Sequence, residues 1–168
     1  ANIMISSSDF TSNTASAGCT SGQAQGGAIS IDNGSLHLVD STLSSNSASA
    51  HALNVPNIDV SKGGAIYNGN ATLDISSTIF SDSAVGLPTT QDLNLGGAIY
   101  NAGIITVSRS SIYGQTLSSE GKGGAVFNDG SLTISETHLS GTAVVGGALY
   151  NSNLTRLSAI RISSSRAS

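Results

Sequence analysis

Apolar residues recur at every second position in the runs "SLHL" (35–38), "TLDI" (72–75), "IITV" (104–107) and "SLTI" (131–134). That period turns one face of an extended segment inward and the other outward. The words "GGAIS" at Gly26, "GGAIY" at Gly63 and Gly96, "GGAVF" at Gly123 and "GGALY" at Gly146 continue the alternation. No apolar stripe of period 3.6 survives the Gly and Ser interruptions, so the pattern predicts short strands and no helices.

The Gly-Gly words follow one another at intervals of 37, 33, 27 and 23 residues. From the first Gly of each word to the next apolar anchor (Leu43, Phe80, Ile112, Leu139, Ile162) the distances are 17, 17, 16, 16 and 16. From the anchors Phe10, Leu43, Phe80, Ile112 and Leu139 to the following Gly-Gly they are 16, 20, 16, 11 and 7. All the irregularity therefore sits at one point of a repeat whose length identifies a solenoid. The predicted fold is all-β, a right-handed single-stranded parallel β-helix of about six coils with three short strands per coil, forming one segment over residues 1–168. Residues 14–25, 47–62, 84–95 and 116–122 are expected to leave one corner as loops and form a graded ridge, where recognition by a rigid scaffold usually resides.

Equivalent residues of adjacent coils stand about 4.8 Å apart and form ladders along the axis. Ile29, Ile66, Ile99, Val126 and Leu149 are expected to point inward. By alternation Ala28, Ala65, Ala98, Ala125 and Ala148 join Tyr67, Tyr100, Phe127 and Tyr150 on the other face. The rings would form either a packed row or a flat strip able to dock a second β-helix or a sugar chain. Asn68, Asn101, Asn128 and Asn151 end the same strand and predict an internal asparagine ladder with a structural role. The Gly-Gly pair serves re-entry into the ladder, through backbone angles or close contacts that a Cβ would obstruct.

The paired "GGA[I/V/L]" and "FxxN"-type words, the latter complete in "FTSN" and "LSSN", resemble the repeats of the chlamydial polymorphic outer-membrane proteins and the wider class of right-handed β-helix surface proteins. "FSDS", "IYGQ", "LSGT" and "ISSS" lack the Asn. The resemblance implies a passenger-like stalk, fibre or adhesin outside a cell, usually part of a longer chain.

Composition narrows the chemistry. The net charge is −4 and the six Lys and Arg are scattered, so no basic stripe awaits nucleic acid. No apolar run reaches the length of a transmembrane segment. Cys19 is the sole cysteine, which excludes an internal disulfide and a cysteine zinc site. No cofactor and no metal are expected. Asp32, Asp40, Asp59, Asp74, Asp82, Asp92, Asp129 and Glu136 fall at different repeat positions. In the regular coils only Asp40 and Asp74 are expected to approach one another, and His37 to neighbour Asp74. No catalytic residues are assigned, and a carbohydrate-binding or polysaccharide-cleaving β-helix is the alternative reading. Ice binding, which needs flat ranks of Thr, is a second alternative. It is disfavoured by the mixed ladders Met4, His37, Asp74, Thr106, Thr133 and Ser6, Asp40, Ser76, Ser108, Ser135.

Three sequons begin at Asn33, Asn70 and Asn153, each seven residues after the first Gly of its coil, where Gly103 and Gly130 stand in the other two. They are candidate N-glycosylation sites, or else mark a turn requiring left-handed backbone. The first residues align with the second half of a coil, "IMISSSDFTSNTA" matching "LTISETHLSGTA". Arg156, Arg161 and Arg166 charge the last one. The expected partners are further β-helix segments, end to end or laterally, and a cell-surface protein or glycan. The sequence thus reads as a non-catalytic extracellular structural or adhesive module at a cell surface.

Overall fold

A computed structural model describes residues 1–18, 22–51, 59–90, 92–118 and 120–163. Cys19, the middle of the 47–62 insertion and Arg166 lie outside the described residues. The described chain is all-β, with no helix, and its strands form four parallel sheets. Sheet 1 joins Asn2–Ser6, Ser35–Val39, Thr72–Ser76, Ile104–Ser108, Ser131–Ser135 and Thr155–Ser158. Sheet 2 joins Asp9–Thr11, Thr42–Ser44, Ile79–Thr90, Ser111–Ser118, His138–Thr142 and Arg161–Ile162, and Thr14–Ala17 and Ser47–Ala50 extend it sideways. Sheet 3 holds Gln23–Gln25, Val60–Lys62 and Leu93–Leu95, continued by bridges from Leu95 to Lys122 and from Lys122 to Val145. Sheet 4 holds Ile29–Ile31, Ile66–Asn68, Ile99–Asn101, Val126–Asn128 and Leu149–Asn151. Each strand bonds to its counterpart one repeat earlier or later, so the repeats act as rungs.

Sheets 1, 2 and 4 face one apolar core. Leu36, Leu38, Leu73, Ile75, Ile105, Val107, Leu132 and Ile134 of sheet 1 meet Leu43, Phe80, Ile112 and Leu139 of sheet 2 and Ile66, Ile99 and Val126 of sheet 4. Removing one such side chain from water contributes about 1.5–3 kcal/mol. At the ends of the sheet 4 row, Ile29 and Leu149 are only partly buried.

The alanines of the Gly-Gly-Ala words do not share the aromatic face. Ala65, Ala98, Ala125 and Ala148 are buried in the main core, and Ala28 packs against it. Strict alternation fails because two successive amides donate to one carbonyl: Ala65 and Ile66 both to Ala98, and Ala98 and Ile99 both to Ala125. This bulge-like step lets Ala and the following Ile both point inward.

The insertions are not loops at their bases. Residues 14–17, 47–50 and the later parts of Ile79–Thr90 and Ser111–Ser118 extend sheet 2, and sheet 3 carries the return. The cross-section therefore has four sheets where three strands per repeat were expected. The added lobe is thin, built on Ala24, Ala48, Ala50 and Val85 with Ala15 and Ala17 beside them.

The Gly-Gly pair separates this lobe from the main core, and its two members have different causes. Gly26, Gly63, Gly96, Gly123 and Gly146 have φ of 59, 62, 68, 64 and 80°, the left-handed region that Gly enters without penalty. The second glycines Gly27, Gly64, Gly97 and Gly124 sit against backbone: a Cβ on Gly97 would lie 2.0 Å from the Gly124 carbonyl and 2.2 Å from the Gln115 amide. Close approach of two backbones forms the waist.

Another corner is left-handed without glycine. Ser7, Asp40, Ser77, Arg109, Glu136 and Ala159 have φ of 46–50° between sheets 1 and 2. Asp40 thus lies at this corner, and the sheet 1 ladder runs Ser6, Val39, Ser76, Ser108, Ser135, because Val39 takes the place expected for Asp40. The next residues, Ser8, Ser41, Thr78, Ser110 and Thr137, donate their hydroxyls to the carbonyl two residues back. Those of Ser41, Ser110 and Thr137 also accept an amide from the preceding rung, stabilising a turn that side chains otherwise avoid.

Gly97→Ala is expected to cost more than about 3 kcal/mol or to prevent folding, since backbone on two sides must shift. Gly18→Ala, with nothing within 4 Å of the added methyl, should change stability by less than about 0.5 kcal/mol. Urea unfolding of both variants measures the contrast, and equal midpoints would refute the waist as a steric constraint.

Candidate functional site

Side chains that carry chemistry are arranged by the rungs into rows. Asn68, Asn101 and Asn128 are fully buried at the end of sheet 4. Asn68 Nδ2 donates to Asn101 Oδ1 at 2.7 Å, Asn101 Nδ2 to Asn128 Oδ1 at 2.6 Å, and Asn128 Nδ2 to the exposed Asn151 at 2.8 Å. Asn68 also closes its own turn, accepting from the Ala71 amide at 2.9 Å and donating to the Ala71 carbonyl at 3.1 Å. Every amide in the row is occupied by structure, and the row holds the corner between sheets 4 and 1. That corner absorbs the 17-versus-16 spacing: Thr72 pairs with Ile104, although it lies one residue further past its ladder asparagine.

On the outer face of sheet 4, Tyr67, Tyr100, Phe127 and Tyr150 stack with centroids 5.3, 5.2 and 4.9 Å apart and interplanar angles of 11, 4 and 8°. Offset stacks of this kind add about 0.5–1.5 kcal/mol per pair beyond burial. Sheet 3 supplies a cover that the sequence reading missed. Lys62 Nζ stands 4.9 Å from the Tyr100 centroid and 5.9 Å from that of Tyr67, and Lys122 Nζ 5.4 Å from that of Tyr150. Tyr100 and Phe127 are 7% and 8% exposed within a single chain. The middle of the row is thus an internal seam and not an open docking strip, because its ring faces are used by neighbouring rings and lysines. Burial pushes the Tyr67 and Tyr100 phenols above their ordinary value; Asp32 adds to the rise at Tyr67, and Asp129 and then Tyr67 to that at Tyr100.

The sequon asparagines Asn33, Asn70 and Asn153 are all exposed at the corner between sheets 4 and 1. None has a positive φ, and neither do Gly103 and Gly130 at the same place. Left-handed backbone is therefore not what the position requires; Gly103 and Gly130 stand where a Cβ would meet backbone, 2.4 Å from the Ala71 carbonyl and 2.1 Å from the Gly103 carbonyl, a crowding that the asparagine rungs do not share. Asn153 is tied down, its Nδ2 donating to the Asp129 carbonyl at 3.0 Å and its Oδ1 accepting from the Leu154 amide at 2.9 Å.

Sheet 2 presents the most organised polar surface. Tyr113 OH and His138 Nδ1 are hydrogen-bonded at 3.0 Å, and His138 Nε2 and the Ser163 hydroxyl at 2.5 Å. These three residues come from successive rungs, so only the register brings them together. Beside them Asp82, Tyr113, Gln115 and Thr142 rim a shallow cleft floored by Gly114 and Gly141. On the outer face of sheet 1, His37 and Asp74 lie 3.4 Å apart, each about half exposed. Such a surface pair contributes little. Asp40, at its corner, is not placed beside Asp74 on that face. The outward row there runs Met4, His37, Asp74, Thr106, Thr133, Arg156, a mixture of apolar, charged and hydroxyl groups.

No family model matches the chain, and neither the curated proteins nor the solved structures compared with it include a match.

The tyrosines give a pH prediction. Because folding raises both phenol values, the neutral forms are favoured in the native state. Their contribution is complete below the unfolded value near 10 and is lost as pH rises through the folded values. Tyrosinate absorbance of the native chain should therefore rise later than that of the unfolded chain. Tyr67→Phe combined with Tyr100→Phe should remove the late portion and flatten the alkaline loss of stability; superimposable native and unfolded titrations would contradict the buried seam.

Proposed function

We propose that the chain is a right-handed parallel β-helix serving as an extracellular structural or adhesive module, a stalk, fibre or adhesin segment without catalytic residues. The observation that carries the reading is that side chains of one kind repeat along the axis and bond to their own copies, as Asn68, Asn101, Asn128 and Asn151 do. Catalysis needs unlike groups converging on one point, whereas a stalk needs the same contact repeated along its length. The shared core of sheets 1, 2 and 4 supports a single solenoid. The "GGA[I/V/L]" words and their resemblance to chlamydial polymorphic outer-membrane repeats support the surface location. In this reading the thin lobe is the recognition ridge, graded in height by the insertions, and further segments of like fold add end to end or laterally. The exposed corner at Asn33 and Asn70 would carry glycans if the chain passes through a glycosylating pathway. No helix among the described residues is long and apolar enough to cross a membrane.

The test removes the lobe. Beads coated with the full chain are expected to adhere to cultured epithelial cells. A variant whose four insertions are cut to the length of the fifth repeat should keep its β circular dichroism and lose adhesion. Undiminished adhesion would place recognition elsewhere.

A second reading, a carbohydrate-binding β-helix, is favoured by the cleft beside Tyr113. Its rim offers an aromatic edge, an amide, a carboxylate and a hydroxyl, the mixture that orients sugar hydroxyls. Tyr113→Ala should lower glycan-array binding at least tenfold if this cleft is used. A chain that binds no glycan above background excludes it.

A further inference from the structure

Within the described residues, Asp59 and Asp92 are the place where carboxylates occupy the same position on neighbouring rungs, since the Leu93 amide bonds the Asp59 carbonyl and Val60 pairs with Leu93. Like charges stacked in a parallel ladder repel one another, and here one of them is completely buried. Asp59 is 0% exposed. Its Oδ1 accepts the Gly22 amide at 2.7 Å, while no donor reaches Oδ2.

Asn94 lies on the same inner face, paired with Ser61, which stands two residues after Asp59. It too is 0% exposed. Its Nδ2 donates to the Asp92 carbonyl at 3.3 Å, which fixes the amide orientation and leaves Oδ1 as a second buried acceptor without a donor. Gly86, with φ of 79°, makes room for this amide: a Cβ there would stand 2.2 Å from Asn94 Nδ2 and 2.4 Å from Oδ1. The apolar cluster of the lobe, Ala24, Ala48, Ala50 and Val85, brings no donor to these oxygens, and the Ser61 hydroxyl already accepts the Ala50 amide at 2.9 Å. Lys62, by alternation, points outward to the tyrosine row.

Two buried acceptors cannot satisfy each other, and each left bare costs the desolvation of that group, more for a charged one. Asp59 and Asn94 are diagonal neighbours on adjacent rungs of one sheet, and both are fully buried, each with a bare oxygen. We propose that Asp59 and Asn94, flanked by the Asp92 carboxylate whose Oδ1 accepts the Asp59 amide at 3.3 Å, form a calcium site inside the thin lobe between the second and third rungs. The donor set is entirely oxygen, from carboxylate and amide, which selects a hard cation. Its irregular placement along a sheet suits calcium, whereas magnesium demands near-octahedral geometry and retains its waters. The bound ion would neutralise the stacked acids and tie sheet 3 together where the insertion returns to the waist.

Equilibrium dialysis of the full chain against radioactive calcium, paired with thermal unfolding in chelator, calcium or magnesium, tests the site. The expected result is uptake of one ion per chain and a melting midpoint raised by several degrees in calcium and by less in magnesium. Asp59→Asn keeps an acceptor for the Gly22 amide and offers an N–H to Asn94, so it should fold, lose the uptake and become insensitive to calcium. Asn94→Ser, which removes only the amide oxygen, should weaken uptake at least tenfold, and the exposed Asp74→Asn should leave it unchanged. Absence of calcium uptake by the unmodified chain would overturn the proposal in favour of water or a proton on the two oxygens. Uptake unchanged in Asp59→Asn and Asn94→Ser would place the ion elsewhere and overturn it equally.

Discussion

The structure depends on in-register parallel pairing of each strand with its copy on the next rung. Once Leu73 bonds beside Leu36 and Ile105, the paired residues of sheets 1 and 4 have the same repeat position of the next rung as their lateral neighbour. Ladders follow from this without further design. A row must be self-compatible: apolar groups pack, amides chain donor to acceptor, rings stack. Charges are tolerated when unlike groups separate them, as Leu95 stands between Lys62 and Lys122. The small number of charged residues in the chain is a consequence of that rule.

A second constraint is steric. The glycine waist brings the sheet 2 backbone against the start of sheet 4, so the main core closes independently of what lies beyond. Insertions can then lengthen on the far side without disturbing Leu43, Phe80, Ile112 or Leu139. Their interior must be filled by small groups, because two sheets diverging from a glycine contact leave little space between them. Alanine, serine and asparagine occupy it beside Val85, and polar side chains such as Asn94 and Asp59 are fully buried there. The adhesive reading and the calcium site both attach to this lobe, one to its outer edge and one to its interior.

Polar burial elsewhere is resolved locally. The hydroxyls of Ser41, Thr78, Ser110 and Thr137 reach a carbonyl two residues back, and the asparagines reach along the axis. An early sheet 2 corner uses asparagine as well: Asn13 Nδ2 donates to Asn46 Oδ1 at 2.9 Å and Asn46 Nδ2 to the Phe10 carbonyl at 2.9 Å. The series then passes to Ser83, Gly114 and Gly141. Where glycine replaces asparagine the strand runs on through the former corner as Ser111–Ser118 and His138–Thr142. The fading "FxxN" word is thus a change of shape along the axis.

What the sequence determined by itself was periodic. Alternation in "TLDI" and its counterparts, with a fixed offset from Gly-Gly to anchor, gave the strands, the parallel repeats, the inward isoleucines and the asparagine row, since each depends on residues close in sequence or one repeat apart. What only the tertiary structure decided lies where segments from different sheets meet. The amide pairs sharing a carbonyl turned Ala65 and Ala98 into the core against strict alternation. The return of the insertions as sheet 3 placed Lys62 and Lys122 over the tyrosines and buried Tyr100. The Tyr113–His138–Ser163 contact crosses three rungs with no common word. Asp59 and Asn94 look like loop residues in the sequence, and they are buried because the Gly-Gly pairs that follow them, Gly63-Gly64 and Gly96-Gly97, bring in backbone from another sheet and the next rung, close enough to exclude water.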